Sequence, residues 1–205
     1  MAHDRENSSP TETDPSPWNL PNALTMLRIA LVPVFGWLLL VDGGHEVGWR
    51  VAAFVVFLGA ILTDKIDGDL ARARGLVTNF GKIADPIADK ALTGMAFVGL
   101  SVLGDLPWWV TVVVLGREWS ITLIRFVVLR YGVMAASRGG KLKTTLQAVA
   151  LCAFILPLAG YTWLHAAAWA FMVAAVVVTV VTGIEYVGQA VRVWRTGRSS
   201  HGSAA

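Results

Sequence analysis

Asp64, Asp67, Asp85 and Asp89 are the residues whose type and spacing most directly imply chemistry. They lie in residues 64–90, DKIDGDLARARGLVTNFGKIADPIADK, which hold five aspartates and five lysines or arginines between long apolar runs. Asp64 and Asp67 are three apart, and Asp85 and Asp89 four apart. On a helix, each pair shares a face and presents two carboxylates to one point. Four converging carboxylates with no histidine or thiolate make an all-oxygen donor set. Hard cations such as Mg²⁺ prefer that set, and they bind a few carboxylates while sharing substrate phosphates. Two such ions clamp a pyrophosphate and stabilise a leaving oxygen in an in-line displacement.

The neighbouring residues fit that chemistry. Gly68 lets a ligand approach the backbone where the acids converge, and Gly81 opens the other helix in the same way. Arg72 follows one turn later and can neutralise phosphate oxygens. Pro86 removes a backbone donor within the helix. The plainer alternative has acids and bases pairing at the level of the lipid headgroups, which suits Lys65, Arg74, Lys82 and Lys90 better than the four aspartates. Asp69 lies off the face shared by Asp64 and Asp67. His3, His45, His165 and His201 are scattered through tails and loops, so no histidine metal site is expected. The single cysteine, Cys152, excludes an intramolecular disulfide and reads as a small apolar side chain.

The elements that must position these carboxylates are membrane helices. The chain has 205 residues, is 55% hydrophobic and only 15% charged, too few polar residues to cover a soluble domain. The net charge of +3 resides mainly beside apolar spans, which suits anionic headgroups or phosphate-bearing substrates rather than nucleic acid. Residues 1–17 are polar, acidic and proline-bearing, and read as a disordered tail without a cleavable signal. Six apolar spans follow within residues 18–191. They begin near Asn22, Arg50, Thr78 (a plausible N-cap), Trp108, Thr144 and Ala166. Residues 132–143 read as a basic loop, span five as 144–163, and residues 192–205 as a basic flexible tail. The loops after spans two and four and the C-terminal tail hold nearly all the basic residues outside the spans. By the positive-inside rule, both termini and the aspartates face the cytoplasm. The expectation is an all-α integral membrane protein with six transmembrane helices in one bundle.

Two further groups of polar residues lie inside the spans. Asn22, Thr25 and Arg28 recur every three residues and form a polar stripe on the first helix. Arg117 and Arg125 are about two turns apart on the fourth, followed by Lys141, Lys143, Thr144 and Gln147. An apolar bundle does not keep two arginines without an anionic partner. Glu118 is adjacent to Arg117 rather than three or four residues away, so the helix-face rule does not let it neutralise Arg117. A basic pocket near the metals suits an acceptor that itself carries phosphate.

Asp64-x-x-Asp67-Gly68-x-x-Ala71-Arg72, eight intervening residues, then Gly81-x-x-x-Asp85-x-x-x-Asp89 resembles the full signature of the CDP-alcohol phosphotransferases. The resemblance implies six transmembrane helices, usually a homodimer, with the site open to the cytoplasm. It implies that Asp64, Asp67, Asp85 and Asp89 surround two divalent ions, Mg²⁺ or Mn²⁺. Asp89 would also be the base that deprotonates the acceptor alcohol. Asn22, Thr25, Arg28, Gly68, Ala71, Arg72 and Gly81 would bind the CDP-lipid, and Arg117, Arg125, Lys141, Lys143, Thr144 and Gln147 the acceptor phosphate. The segments NALTMLR, REWSITLIR and GKLKTTLQ resemble the bacterial branch that converts CDP-diacylglycerol and sn-glycerol 3-phosphate to phosphatidylglycerophosphate and CMP, which places the chain in the plasma membrane. A sister enzyme using inositol 1-phosphate or phosphatidylglycerol is the nearest alternative. A cation transporter would carry its acids near mid-bilayer in broken helices, not at a cytoplasmic helix–loop–helix, and a noncatalytic scaffold would leave the acid set without a use.

Overall fold

Inside hydrocarbon, a chain must satisfy its backbone N–H and C=O groups internally, and apolar runs of about twenty residues do so as helices. The computed structural model describes residues 20–73, 78–128, 138–156 and 162–202. They form α1 (Leu20–Leu40), α2 (Val47–Ala73), α3 (Asn79–Val102), α4 (Trp108–Val128), α5 (Arg138–Ile155) and α6 (Thr162–Gly202), with a short 3-10 turn at Val41–Gly44. α1 packs against α2 and α3, and α6 against α4 and α5, while α2–α5, α3–α4 and α3–α5 contacts join the two groups.

Burial runs opposite to that of a soluble protein. Large apolar side chains such as Trp37, Val55, Leu62, Val112, Leu123, Val177 and Ile184 face outward, whereas Asn22, Thr25, Arg28, Lys143, Gln147, Thr179 and Thr182 are buried. Lipid accepts the first set, and the second finds partners only between helices. This is a membrane protein. The stretches 22–44, 47–64 and 162–192 are long and apolar enough to cross a bilayer, and 142–155 is a shorter apolar helix. The remaining helices, α3 and α4, carry Asp85 and Asp89, and Arg117 and Glu118, respectively.

The boundaries differ from the sequence reading in three places. α5 starts at Arg138, so the glycine-bearing basic stretch expected as a loop to residue 143 is already helical, and Lys143 gains a fixed direction. α5 ends at Ile155, short of the expected 163; residues 157–161 lie outside those described. α6 continues through the expected tail to Gly202. Local composition misplaces these ends because glycines and arginines are helix-compatible where flanking turns already supply the hydrogen-bond ladder.

The core joins Phe35 and Leu39 of α1, Phe57 of α2, Phe97 and Leu100 of α3, Val110 of α4, Leu151 and Ile155 of α5 and Met172 of α6. A Cβ added at Gly99 would lie 2.7 Å from Leu39 Cδ2, so α1 and α3 approach through a position with no side chain. At one end of the bundle, Asp42, Gly43 and Gly44 all have positive φ and make the tight α1–α2 turn. Arg50, 6% exposed, closes this end. Its Nη1 donates to Asp105 Oδ2 at 2.6 Å, Nε to Ile155 O at 2.9 Å and Nη2 to Phe154 O at 2.6 Å. The guanidinium thus satisfies the orphan carbonyls and negative end of α5 while tying down the α3–α4 turn. Exposed Trp37, Trp49, Trp108, Trp109 and Trp163 sit at this same end, where an aromatic belt meets the headgroups. The aspartates lie at the other end.

Arg50→Met keeps side-chain bulk but leaves two carbonyls and Asp105 without their donor. It should lower stability by about 3 kcal/mol, read as earlier thermal unfolding in detergent; an unchanged midpoint would show that Arg50 does not hold this end.

Candidate active site

α1 brings the aspartate helices together. Its polar stripe faces inward: Asn22, Thr25 and Arg28 are 4%, 2% and 3% exposed. Thr25 Oγ1 donates to Asp85 Oδ1 of α3 at 2.5 Å. Arg28 reaches α2, where Nη1 pairs with Asp64 Oδ1 at 2.5 Å and Nε donates to Ala60 O at 3.3 Å. Thr78 caps α3, its Oγ1 accepting from Gly81 N at 3.0 Å and donating to Asn22 Oδ1 at 2.9 Å. Gly81 is confined here, because a Cβ would sit 2.9 Å from Asn22 Oδ1 and 3.9 Å from Asp85 Oδ2. Stripe, cap and glycine form one connected set around Asp85.

Asp64 and Asp89 approach closely enough for their charges to oppose one another, and Lys143, Arg28 and Lys90 act on Asp89 in the opposite sense. Lys90 Nζ also donates to Thr122 Oγ1 of α4 and lies over the Trp119 ring, 5.8 Å from its centroid. The carboxylates offer oxygen donors only, and Asp64 keeps 43% of its side chain exposed although Arg28 is buried. Donor chemistry and access both fit a hard divalent cation. Among the described residues no three carboxylate, imidazole or thiolate groups close into one cage. Asp67, which the three-residue spacing sets on the Asp64 face, has its side chain outside those described. The same holds for Arg72, and for Gly68 and Ala71 only the helical backbone of α2 is described.

A second polar group lies between α4, α5 and α6. Lys143 of α5 is buried and its Nζ pairs with Glu118 Oε1, while Arg117 Nη1 meets the same oxygen at 3.3 Å. The sequence reading that Glu118 cannot neutralise Arg117 is therefore corrected. Helix-face rules compare Cβ directions, but arginine and glutamate have stems long enough to fold back beside their own helix. Arg117 also leans on α6. Its Nη2 donates to Thr182 Oγ1 at 2.8 Å, and its guanidinium lies 6.0 Å from the Tyr186 ring centroid. A Cβ on Gly183 would approach Arg117 Cγ to 3.2 Å. Arg117 Nε is buried with no hydrogen-bond acceptor among the described residues.

The expected acceptor residues thus divide. Arg117 and Lys143 come together, and Lys143 links them electrostatically to Asp89. Gln147 is buried and donates to Thr179 of α6 at 3.3 Å. Thr144 is exposed, with its hydroxyl on Gly140 O at 2.9 Å, and does not join the cluster. The side chains of Arg125 and Lys141 lie outside the described residues. Glu118, Thr182, Gly183 and Tyr186 were not singled out as site residues; an acid beside an arginine inside an apolar span was the one available signal for Glu118.

Residues 18–181 match the protein-family model described as CDP-alcohol phosphatidyltransferase. A Mycobacterium tuberculosis (strain H37Rv) protein named probable phosphatidylglycerophosphate synthase is 54% identical over 174 residues, covering 85% of this chain and 82% of the relative. A Bacillus subtilis (strain 168) protein named CDP-diacylglycerol–glycerol-3-phosphate 3-phosphatidyltransferase is 39% identical over 184 residues, 82% of this chain and 93% of the relative. An Arabidopsis thaliana protein of that name, numbered 2, is 33% identical over 165 residues, 73% of this chain and 69% of the relative.

Thr25→Val keeps the shape of the stripe and removes the hydroxyl on Asp85, and Gly81→Ala presses a methyl onto Asn22. Each should weaken divalent-cation binding about tenfold or more, as loss of groups that orient metal ligands does. Calorimetric titration of the purified protein with Mg²⁺ or Mn²⁺ reads this directly, and unchanged affinity would disconnect the α1 stripe from the aspartates.

Proposed function

Because the chain belongs to the CDP-alcohol phosphatidyltransferase family, we propose that it makes phosphatidylglycerophosphate and CMP from CDP-diacylglycerol and sn-glycerol 3-phosphate. The observation that carries the choice of acceptor is the Arg117–Lys143 pair on Glu118, in which Lys143 is buried and acts on the same Asp89 that the signature marks as the base. Two paired cations, Lys143 buried and Arg117 partly buried, suit an alcohol that already carries a phosphate. The names of the Mycobacterium tuberculosis and Bacillus subtilis relatives support the same acceptor.

Asp64, Asp67, Asp85 and Asp89 would hold the divalent cations, Mg²⁺ or Mn²⁺ and two per site. When bound, these ions supply positive charge against the donor pyrophosphate and the departing CMP. The protein's own part is to position and to move one proton. Arg117, Lys143 and their neighbours Arg125 and Lys141 bind the glycerol phosphate, with Gln147 and Thr144 on the same helix as Lys143. Asp89 accepts the proton of the free primary hydroxyl, whose oxygen forms a new bond to the phosphorus bearing the diacylglycerol. The bond from that phosphorus to the oxygen bridging the pyrophosphate breaks, and CMP departs with its charge offset by Arg72 near Gly68 and Ala71. Asn22, Thr25 and Arg28 keep the acids in register from behind. Positioning and electrostatics account for the rate in such a transfer.

The setting is a bacterial plasma membrane, with six spans, both termini and the site cytoplasmic, and a second copy completing a homodimer. α2 supports the depth of the site: its 27 residues extend about 40 Å, longer than a hydrocarbon core of about 30 Å. Its apolar window ends at Asp64, so the last turns can stand in the headgroup layer where a lipid pyrophosphate lies. The acyl chains of the donor then remain in the inner leaflet.

Protein reconstituted in vesicles with CDP-diacylglycerol and Mg²⁺ should release CMP only when sn-glycerol 3-phosphate is added, with phosphatidylglycerophosphate as the lipid product. Preference for inositol 1-phosphate or phosphatidylglycerol would replace the acceptor, and acceptor-independent ion flux without CMP would replace the reaction. Chelation with EDTA should abolish turnover, and added Mg²⁺ or Mn²⁺ should restore it. Asp89→Asn should reduce kcat about 10²–10⁴-fold; substantial turnover with cation affinity retained would remove Asp89 from the base role.

A further inference from the structure

Phosphate binding by Arg117 and Lys143 explains two cations but not the carboxylate between them. The two cations come from different helices, α4 and α5, and oppose each other electrostatically. Left alone in a poorly hydrated space, they would separate or turn toward the headgroups. Glu118 Oε1 contacts both, so one oxygen fixes the distance between an α4 guanidinium and an α5 ammonium. Two positive charges less one negative leave a net positive site, still complementary to a phosphate.

The remaining faces of Arg117 are fixed by α6. Thr182 accepts from Nη2, Tyr186 lies beside the guanidinium, and Gly183 admits the aliphatic stem where a methyl would approach Cγ to 3.2 Å. Thr182 is itself tied down, donating to Val178 O at 2.7 Å. Arg117 Nε remains buried without an acceptor among the described residues, an unmet demand of the kind a bound anion or its water relieves. The arrangement is a guanidinium and an ammonium preset by a carboxylate, with a helix as backstop.

We propose that Glu118 is a positioning residue for the acceptor phosphate: it holds Arg117 and Lys143 as a preformed pair, and Gly183 and Thr182 of α6 set the pose of Arg117. The proposal rests on the reading that this pair receives a phosphate-bearing acceptor. Glu118 itself makes no contact with reacting atoms. Its effect is to remove the reorganisation that two repelling cations would otherwise undergo when the acceptor arrives. The donor site, built on α1, α2 and α3, does not depend on it.

The test is steady-state kinetics of the full-length reconstituted protein, varying each substrate at saturation of the other. Glu118→Gln should raise KM for sn-glycerol 3-phosphate about ten- to a hundredfold while kcat and KM for CDP-diacylglycerol stay within about threefold. Glu118→Asp, one methylene short of bridging both cations, should fall between. Gly183→Ala, which displaces Arg117 without changing any charge, should raise the same KM about three- to tenfold and leave the donor KM alone. An unchanged acceptor KM in Glu118→Gln, or equal losses toward both substrates, overturns the proposal. Should Glu118→Gln fail to accumulate in the membrane, Gly183→Ala decides by the same split. Wild-type protein inactive with every phosphate-bearing acceptor defeats the proposed function itself, whereas a normal wild type with an indifferent Glu118→Gln defeats only the positioning role.

Discussion

The Arg28–Asp64 pair joins a guanidinium that is 3% exposed to a carboxylate that is 43% exposed, and the asymmetry describes the problem the fold has to solve. Carboxylates on two helices repel one another, and they must also remain open to a polar ligand at the edge of an apolar bundle. The compensating groups therefore lie behind them, on α1. Arg28 holds α2 and Thr25 holds α3, with Asn22 receiving the hydroxyl that caps α3. Burying these three polar residues would be unfavourable without partners, so the same contacts that satisfy the stripe also set the spacing of the acids.

The two ends of the bundle use arginine differently. At the aromatic end, Arg50 satisfies helix carbonyls and an aspartate, a closed arrangement with no role for a ligand. At the charged end, Arg117 shares a carboxylate with Lys143 and keeps one nitrogen without an acceptor among the described residues. Each nitrogen of Arg50 has an acceptor, as a structural clamp requires, whereas Arg117 keeps a buried nitrogen unmet, as the proposed phosphate site would. Thr182 and Tyr186 draw α6 into this second arrangement, so the longest helix, apolar over most of its length, still shapes the site.

The expected site could be read from the chain to the extent that its spacing is local. Asp64 with Asp67 and Asp85 with Asp89 follow helix periodicity, and apolar run lengths mark most of the membrane helices. Thr78 as a helix cap required only its place before α3. The helix ends were less legible: α5 starts at Arg138 and α6 runs to Gly202, because a helix already supported by packing continues through residues that alone would suggest a loop or tail.

By itself, the sequence supplied the expected donor chemistry: four carboxylates at helical spacing at the end of an apolar span, with a basic group further along. Tertiary structure alone decided what each polar residue in the spans touches. Thr25 and Asp85 are 60 residues apart, and Arg117 and Thr182 are 65 apart. No periodicity reports such pairs, since they arise from how helices dock rather than from how one helix turns. Glu118 illustrates the limit most directly. It lies next to Arg117 in sequence, yet its position is set by Lys143 on another helix, because long side chains follow the nearest opposite charge more than the face from which they start.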